Sequence, residues 1–251
     1  MDARRIRRGL SAAGAAALDL LFPPACELCG GPSRGHLCEV CRARILPREA
    51  RLCCRVCGKL LIEADRAAGA TDPLCAGCRK HPPAFTLARS AAAFHGPAGT
   101  LVRAVKYGGR TWIADVLAAL AAQCFRDSFD GAAVDLAVPV PLHPARELAR
   151  GFNQSALLAA GVARRLGVPM RTDLLRRVRE TQTQTRMDRA GRRENMRGAF
   201  EAAPGAGARL AGKTVLVVDD VMTTGSTLDA CAAALREAGA ARVLALSAAR
   251  D

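Results

Sequence analysis

Aromatic side chains are scarce: the 251 residues include one Trp, one Tyr and seven Phe. Surfaces that hold single-stranded nucleic acid by stacking need several exposed rings. Few such platforms can exist here, and any contact with DNA is expected to be electrostatic and strongly salt-dependent. Lysine is also rare, so arginine supplies nearly all of the basic excess. No apolar run approaches the roughly 18–20 residues that cross a bilayer. The nearest stretch, Gly9 to Phe22, is interrupted by Asp19 and followed by Pro23-Pro24. The hydroxyl- and glycine-containing run Val215 to Thr227 lacks the glycine and lysine spacing of a Walker A loop. Tandem repeats and long low-complexity linkers are absent too.

Half of the residues are hydrophobic, enough for a packed core. The formal net charge of +14 gives an attractive field for phosphates, pyrophosphate or nucleic acid. Arg4, Arg5, Arg7 and Arg8 open the chain, and Leu10, Ala13, Ala17 and Leu21 follow at helical spacing. Residues 1–25 are therefore expected to form a basic amphipathic helix that docks on the body of the protein. The stretch has the flanks of an export signal but no clear cleavage site.

Eleven cysteines stand out, nine of them between Cys26 and Cys78. They fall into the C-x-x-C pairs Cys26/Cys29, Cys38/Cys41, Cys54/Cys57 and Cys75/Cys78. Such a pair turns two sulfurs to one side of a knuckle, and two knuckles complete a tetrahedron around zinc. Four pairs make two structural zinc sites with no open coordination position. Sequential pairing is the simplest arrangement, and an interleaved one uses the same residues. Gly30, Gly58 and Gly77, beside the pairs, suit the torsions that knuckles need. Cys53 breaks the two-residue spacing, and His36 and His81 are expected to neighbour the sites without ligating. Two zinc–thiolate clusters would lower the net charge to about +10. Paired thiolates favour a reducing, cytoplasmic setting over a disulfide framework. This cysteine-rich module is assigned to residues 26–80, and His81-Pro82-Pro83 reads as a rigid junction.

Residues 84–251 read as an α/β domain. Val134 to Val140 and Arg242 to Leu246 are strand candidates. Val215 to Val218 has the continuous apolar character of a strand buried on both faces. Asn153 to Leu166 and Ser226 to Ala238 are helix candidates, the latter closed by Gly239. Strands alternating with helices imply a parallel sheet flanked by helices. Between about Thr172 and Gly207 lies a polar, arginine-rich stretch whose length marks it as functional.

The run Val215-Leu-Val-Val-Asp-Asp-Val-Met-Thr-Thr-Gly-Ser-Thr227 is the chemical centre of the chain. A buried strand leads into two acids, then into a loop of hydroxyls and glycine, then into a helix. Thr223, Thr224, Ser226 and Thr227 offer hydroxyls, and backbone N–H groups around Gly225 can converge on one anion. Asp219 and Asp220 would repel a phosphate. They suit ribose hydroxyls, which are neutral donors. The pattern fits a 5-phosphorylated ribose at the end of a parallel strand.

This run resembles the 5-phosphoribosyl-1-pyrophosphate motif of type I phosphoribosyltransferases. The chain as a whole resembles the ComF family, a double zinc ribbon fused to a phosphoribosyltransferase-like domain. Further matching stretches are Leu18 to Pro24, Leu101 to Arg110, Val138 to Pro144, Arg150-Gly-Phe-Asn-Gln154 and Arg189 to Phe200. The resemblance implies a type I phosphoribosyltransferase-like parallel sheet. It also implies that Thr223, Thr224, Gly225, Ser226 and Thr227 hold the 5-phosphate, and that Asp219 and Asp220 serve the ribose as catalytic and binding residues. Magnesium would arrive with the substrate. Arg146 and Arg150 would meet the pyrophosphate. The stretch Thr181 to Arg197 would form a mobile hood, with Arg186, Arg189, Arg192 and Arg193 as further pyrophosphate contacts. Lys106 either borders the pocket or caps a helix end. Two functions follow as expectations. One is a phosphoribosyltransferase with an unidentified acceptor and a role in competence and DNA uptake. The other is a non-catalytic module that binds single-stranded DNA or competence and recombination proteins, with the ligand as a signal.

Overall fold

The computed structural model describes residues 25–33, 35–45, 53–61, 73–180 and 189–251. The expected N-terminal helix, apart from Ala25, lies outside these residues. The chain divides into two compact units, Met1–Leu46 and Pro47–Asp251.

In the first unit, the segment around Cys26 and Cys29 is closed by a bridge between Ala25 and Pro32. Helix α1 (Glu39–Ala43) follows, with Cys38 at its cap. The second unit opens with the same construction: a bridge between Cys53 and Leu60, then helix α2 (Ala76–Lys80) with Cys75 at its cap. The remainder is an α/β layer structure. Its strands are β1 (Leu87–Ala93), β2 (Leu136–Pro139), β5 (Thr214–Met222) and β6 (Arg242–Arg250), all parallel, in the order β1-β6-β5-β2. A small antiparallel ribbon pairs β3 (Leu175–Arg177) with β4 (Phe200–Ala202).

Burial explains the sheet. Nearly every residue of β5 and β6 is buried, as a parallel sheet covered on both faces requires. Val215, Val217, Val243 and Ala245 belong to the core cluster that also holds Leu228, Cys231 and Leu235 of α9 (Ser226–Glu237). The alternate residues point to the opposite face. That face is covered by α4 (Ile113–Ser128) and α6 (Gln154–Leu166). Between β1 and β6 the hydroxyls of Ser90 and Ser247 satisfy each other at 2.6 Å. The remaining helices are α3 (Pro97–Gly108), α5 (Pro144–Arg150), α7 (Arg189–Met196) and α8 (Gly207–Leu210).

The helix ends obey local chemistry. Asn153 caps α6 by accepting from the backbone N–H of Ser155 and Ala156. Gly109 and Gly167 close α3 and α6 in the left-handed conformation. Two sequence expectations are corrected. The strand predicted over Val215 to Val218 continues to Met222, carrying Asp219 and Asp220 inside the sheet. Gly77 adopts no special torsion, because it lies within α2, whereas Gly30 and Gly58 have φ of +71° and +68°.

Among the described residues, no helix is long and apolar enough to cross a membrane. Helices α4 and α6 approach closely at Gly161, where an added Cβ would lie 2.5 Å from the Ala118 Cβ. Gly161→Ala is therefore expected to destabilise the fold by about 1–3 kcal/mol through overpacking. Chemical denaturation should show the loss, and Ala118→Gly in the same chain should recover part of it. An unchanged midpoint for Gly161→Ala would contradict this packing.

Candidate functional site

The site is built on the end of β5. Asp219 and Asp220 are 8% and 6% exposed, so each carboxylate needs a donor or a counter-charge. The Oδ1 of Asp219 accepts from the hydroxyl of Ser155 at 2.8 Å and from the Asp220 backbone N–H at 2.9 Å. Ser155 stands in the first turn of α6, which Asn153 holds in place. The Asn153 amide also donates to the Val140 carbonyl at 3.1 Å, tying α6 to the exit of β2. The Nζ of Lys106, from the last turn of α3, lies 2.5 Å from Oδ2 of Asp220. Of the two expectations for Lys106, the structure favours the pocket. Its ammonium serves a carboxylate, and Gly109 closes the helix.

Burial, and then the neighbouring Asp220 charge, raise the Asp219 carboxyl from its ordinary 3.8 to about 7, against the opposing pull of Lys106. The fold thus favours a proton on Asp219 more than water does.

The loop after β5 turns sharply at Gly225, whose φ is +87°. A Cβ there would meet the Met222 Cε at 2.7 Å. Glycine is favoured by the left-handed torsion, whereas the Met222 methyl is the far end of a flexible side chain that can shift. The hydroxyls of Thr224 and Ser226 lie 2.9 Å apart, and the Ser226 N–H donates to Thr224 Oγ1 at 3.4 Å. The first turn of α9 adds N–H groups without helical partners and the positive end of the helix dipole. A cleft of about 210 Å³ is lined by Lys106, Asp219, Thr223, Gly225, Ser226 and Thr227, among others. The structure thus gathers residues from three separated stretches of sequence around one small volume.

The expected pyrophosphate contacts are placed elsewhere. Arg146 and Arg150 lie on α5, and neither lines this cleft. Arg150 donates to Gln154 Oε1 at 2.5 Å, and its guanidinium lies 6.0 Å from the Tyr107 ring. Arg177, on β3, faces the Phe200 ring at 5.4 Å. Burial, followed by the charge of Arg146, depresses its basicity. Of the expected hood, residues 181–188, including Arg186, lie outside the described residues, as do the side chains of Arg189, Arg192 and Arg193. The described part forms α7, whose buried Met196 receives the Thr227 hydroxyl at 3.7 Å.

Ser155 and Arg177 were not singled out by sequence. A serine directly after Arg150-Gly-Phe-Asn-Gln154 was the available signal for the first. Arg177 had none beyond its arginine-rich surroundings.

The cysteines form two tetrads: Cys26, Cys29, Cys38 and Cys41, and Cys54, Cys57, Cys75 and Cys78. Each uses consecutive pairs, which decides for the sequential arrangement. Within each tetrad the sulfurs lie within 4.8 Å of one another. The separations Cys29–Cys38 and Cys57–Cys75 are 3.8 and 3.7 Å. A tetrahedral zinc ion with sulfurs at about 2.3 Å sets them about 3.8 Å apart, so both tetrads fit zinc. The N–H groups of Cys41 and Cys78 donate to the Cys38 and Cys75 sulfurs at 3.4 Å, as knuckle thiolates require. Cys53 belongs to neither tetrad. Among the described residues no third cluster of carboxylates, histidines or thiols could hold a metal ion.

Known proteins match this arrangement. Residues 153–250 match the phosphoribosyl transferase domain, and residues 17–79 match the double zinc ribbon domain. The chain is 34% identical to the DNA utilization protein YhgH of Salmonella typhi, over 89% of this chain and 96% of that protein. It is 32% identical to competence protein F of Haemophilus influenzae, over 66% of this chain and 73% of that protein. A solved structure, the glutamine phosphoribosylpyrophosphate amidotransferase of B. subtilis, aligns with a TM-score of 0.39 at 22% identity. That alignment covers 57% of this chain and 30% of that one, so the chain spans less than a third of that enzyme's length.

Two predictions follow from the acid pair. Lys106→Met leaves Asp220 buried without its counter-charge and should cost about 3 kcal/mol. Adding Asp220→Asn should restore most of that loss, and purely additive effects in the double-mutant cycle would contradict the pairing. The second concerns pH. Because the folded Asp219 carboxyl is raised from 3.8 to about 7, its contribution to stability is full below pH 4 and is lost as pH rises through 7. Asp219→Asn removes the charge and keeps an oxygen acceptor. It should match the parent near pH 4 and exceed it in denaturation midpoint at pH 8. A parent that gains on the variant as pH rises would contradict the raised pKa.

Proposed function

The chain belongs to the ComF family, a double zinc ribbon joined to a phosphoribosyl transferase domain, and from this we propose that it binds 5-phosphoribosyl-1-pyrophosphate in the cleft beneath Thr223–Thr227. One observation carries the reading. The buried Asp219 carboxylate meets a hydroxyl-lined, glycine-turned helix start in one cleft, beside the Lys106 ammonium that pairs with Asp220. Carboxylates accept from ribose hydroxyls, while the loop N–H groups and hydroxyls donate to the 5-phosphate. The two chemistries lie a few residues apart along the end of one strand, as the two parts of a phosphorylated sugar do.

The residues have distinct tasks in this reading. Asp219 and Asp220 orient the ribose, and Lys106 holds Asp220 in place until ligand hydroxyls compete for it. Ser155 fixes Asp219. Arg146, Arg150 and Arg177 supply positive charge toward the pyrophosphate. Phosphoribosyl transfer breaks the bond from the anomeric carbon to pyrophosphate through a transition state with positive charge on the ribose. It needs positioning and electrostatic support and no protein nucleophile. Among the described residues no cluster of three carboxylates, histidines or thiols beyond the two cysteine tetrads could hold magnesium as a resident ion. It belongs to the proposal only as the ion that accompanies pyrophosphate. The acceptor belongs to DNA or nucleotide metabolism, in keeping with relatives named for competence and DNA utilisation. The protein acts in the cytoplasm, where its thiolates stay reduced.

Calorimetric titration of zinc-replete protein with 5-phosphoribosyl-1-pyrophosphate and magnesium should give saturable binding. Asp219→Ala/Asp220→Ala should weaken it at least tenfold. No binding to the parent, together with salt-dependent binding of single-stranded DNA, would replace this reading with the non-catalytic DNA-binding one.

A further inference from the structure

Arg250 closes β6 and is 6% exposed. Its Nη1 donates to the Cys57 carbonyl at 2.6 Å and lies 3.3 Å from the Met222 sulfur. Its Nη2 lies 3.9 Å from the Cys57 sulfur. Among the described residues, none of its partners is a carboxylate. A buried guanidinium is strongly disfavoured without a counter-charge, and a carbonyl and a thioether supply dipoles only. Among the described residues, the group within its reach that becomes anionic on zinc binding is the second tetrad. Four thiolates around a zinc ion leave that cluster negative by two charges.

The other end of the connection is the phosphate loop. Arg250 pairs with Met222 in the sheet register, and Met222 directly precedes Thr223. The Met222 methyl fills the space that a Cβ on Gly225 would take. The second tetrad and the loop also face one cavity of about 440 Å³, lined by Cys57, Cys75, Phe85, Thr224, Gly225 and Ser226, among others. Three of the four cysteines belong to the same core cluster as Met222 and the buried face of α9.

We infer that Arg250 is the counter-cation of the second zinc–thiolate cluster and, through Met222, a positioning residue for the Thr223–Gly225 loop. The zinc ion held by Cys54, Cys57, Cys75 and Cys78 is thereby part of the framework of the ligand site, beyond its service to the local knuckles. The inference rests on the phosphoribosyl-pyrophosphate reading only in calling the loop a ligand site. The coupling of zinc, arginine and loop stands without it.

The test uses the full zinc-loaded chain and two readouts that need no ligand. The first is the rate at which zinc passes to a chromogenic chelator, with metal content measured before and after. The second is deuterium exchange of the peptide covering residues 219–227. Arg250→Met, which keeps length and apolar packing but not charge, should release one zinc equivalent at least tenfold faster than the parent. It should also raise exchange in the loop peptide. Arg250→Lys keeps the charge and should stay within about threefold of the parent rate. Cobalt substitution adds a spectroscopic check, because losing a donor beside Cys57 should shift the thiolate-to-cobalt charge-transfer band in Arg250→Met and not in Arg250→Lys.

Parental zinc release and loop exchange in Arg250→Met would overturn the inference. So would an equal rise in loop exchange in Cys29→Ser, which would assign the effect to zinc loss in general. If Arg250→Met does not fold, Arg250→Gln decides by the same tenfold criterion. Failure of the parent to bind 5-phosphoribosyl-1-pyrophosphate would remove the ligand reading and leave these results standing.

Discussion

The central strand of this protein ends in two buried carboxylates, and the arrangement around them answers that single electrostatic demand. Without partners, Asp219 and Asp220 would cost far more than a domain's net stability allows. Lys106 and Ser155 meet the demand, from positions 114 and 64 residues away from their partners in sequence. The ends of α3 and α6 are thereby drawn to the end of β5. What remains is incomplete compensation, visible in the elevated Asp219 carboxyl. A pair held this way responds strongly to a new donor or cation, the property that the proposed ligand would use.

The second cysteine tetrad is bound into the same problem. Composition changes near residue 80, where the cysteines end, yet packing changes near Leu46. Cys54, Cys57 and Cys75 are buried against Phe85 and Ala88, and the N–H of Ala88 donates to the Val56 carbonyl at 2.7 Å. Zinc bound at this tetrad would therefore add folding energy to a region that reaches Met222 and the loop after it.

Much of the architecture was legible in the sequence because it rests on local rules. The apolar run Val215 to Val218, the Asn153 cap and the four C-x-x-C pairs each declare themselves within a few residues. Strand β1 did not, since Leu-Ala-Arg-Ser-Ala-Ala-Ala lacks β-branched residues and is held as a strand only by β6. The continuation of β5 through its acids was hidden for the same reason: local propensity opposes two aspartates in a strand, and long-range partners override it. Within the site, the turn at Gly225 and the helix start at Ser226 were readable. Ser155, Arg177 and Arg250 were not, because their roles come from neighbours brought together by the fold. Arg250 meets Cys57 across 193 residues of sequence.

The central claim is that one cleft holds a ribose on its carboxylates and a phosphate on its loop. The most direct measurement is a crystal structure of the zinc-loaded protein grown with 5-phosphoribosyl-1-pyrophosphate and magnesium. The account predicts the 5-phosphate within hydrogen-bond distance of the Thr224–Thr227 backbone N–H groups, and the ribose hydroxyls donating to Asp219 and Asp220. An empty loop at saturating ligand, or a phosphate bound elsewhere while Lys106 keeps Asp220, would contradict it.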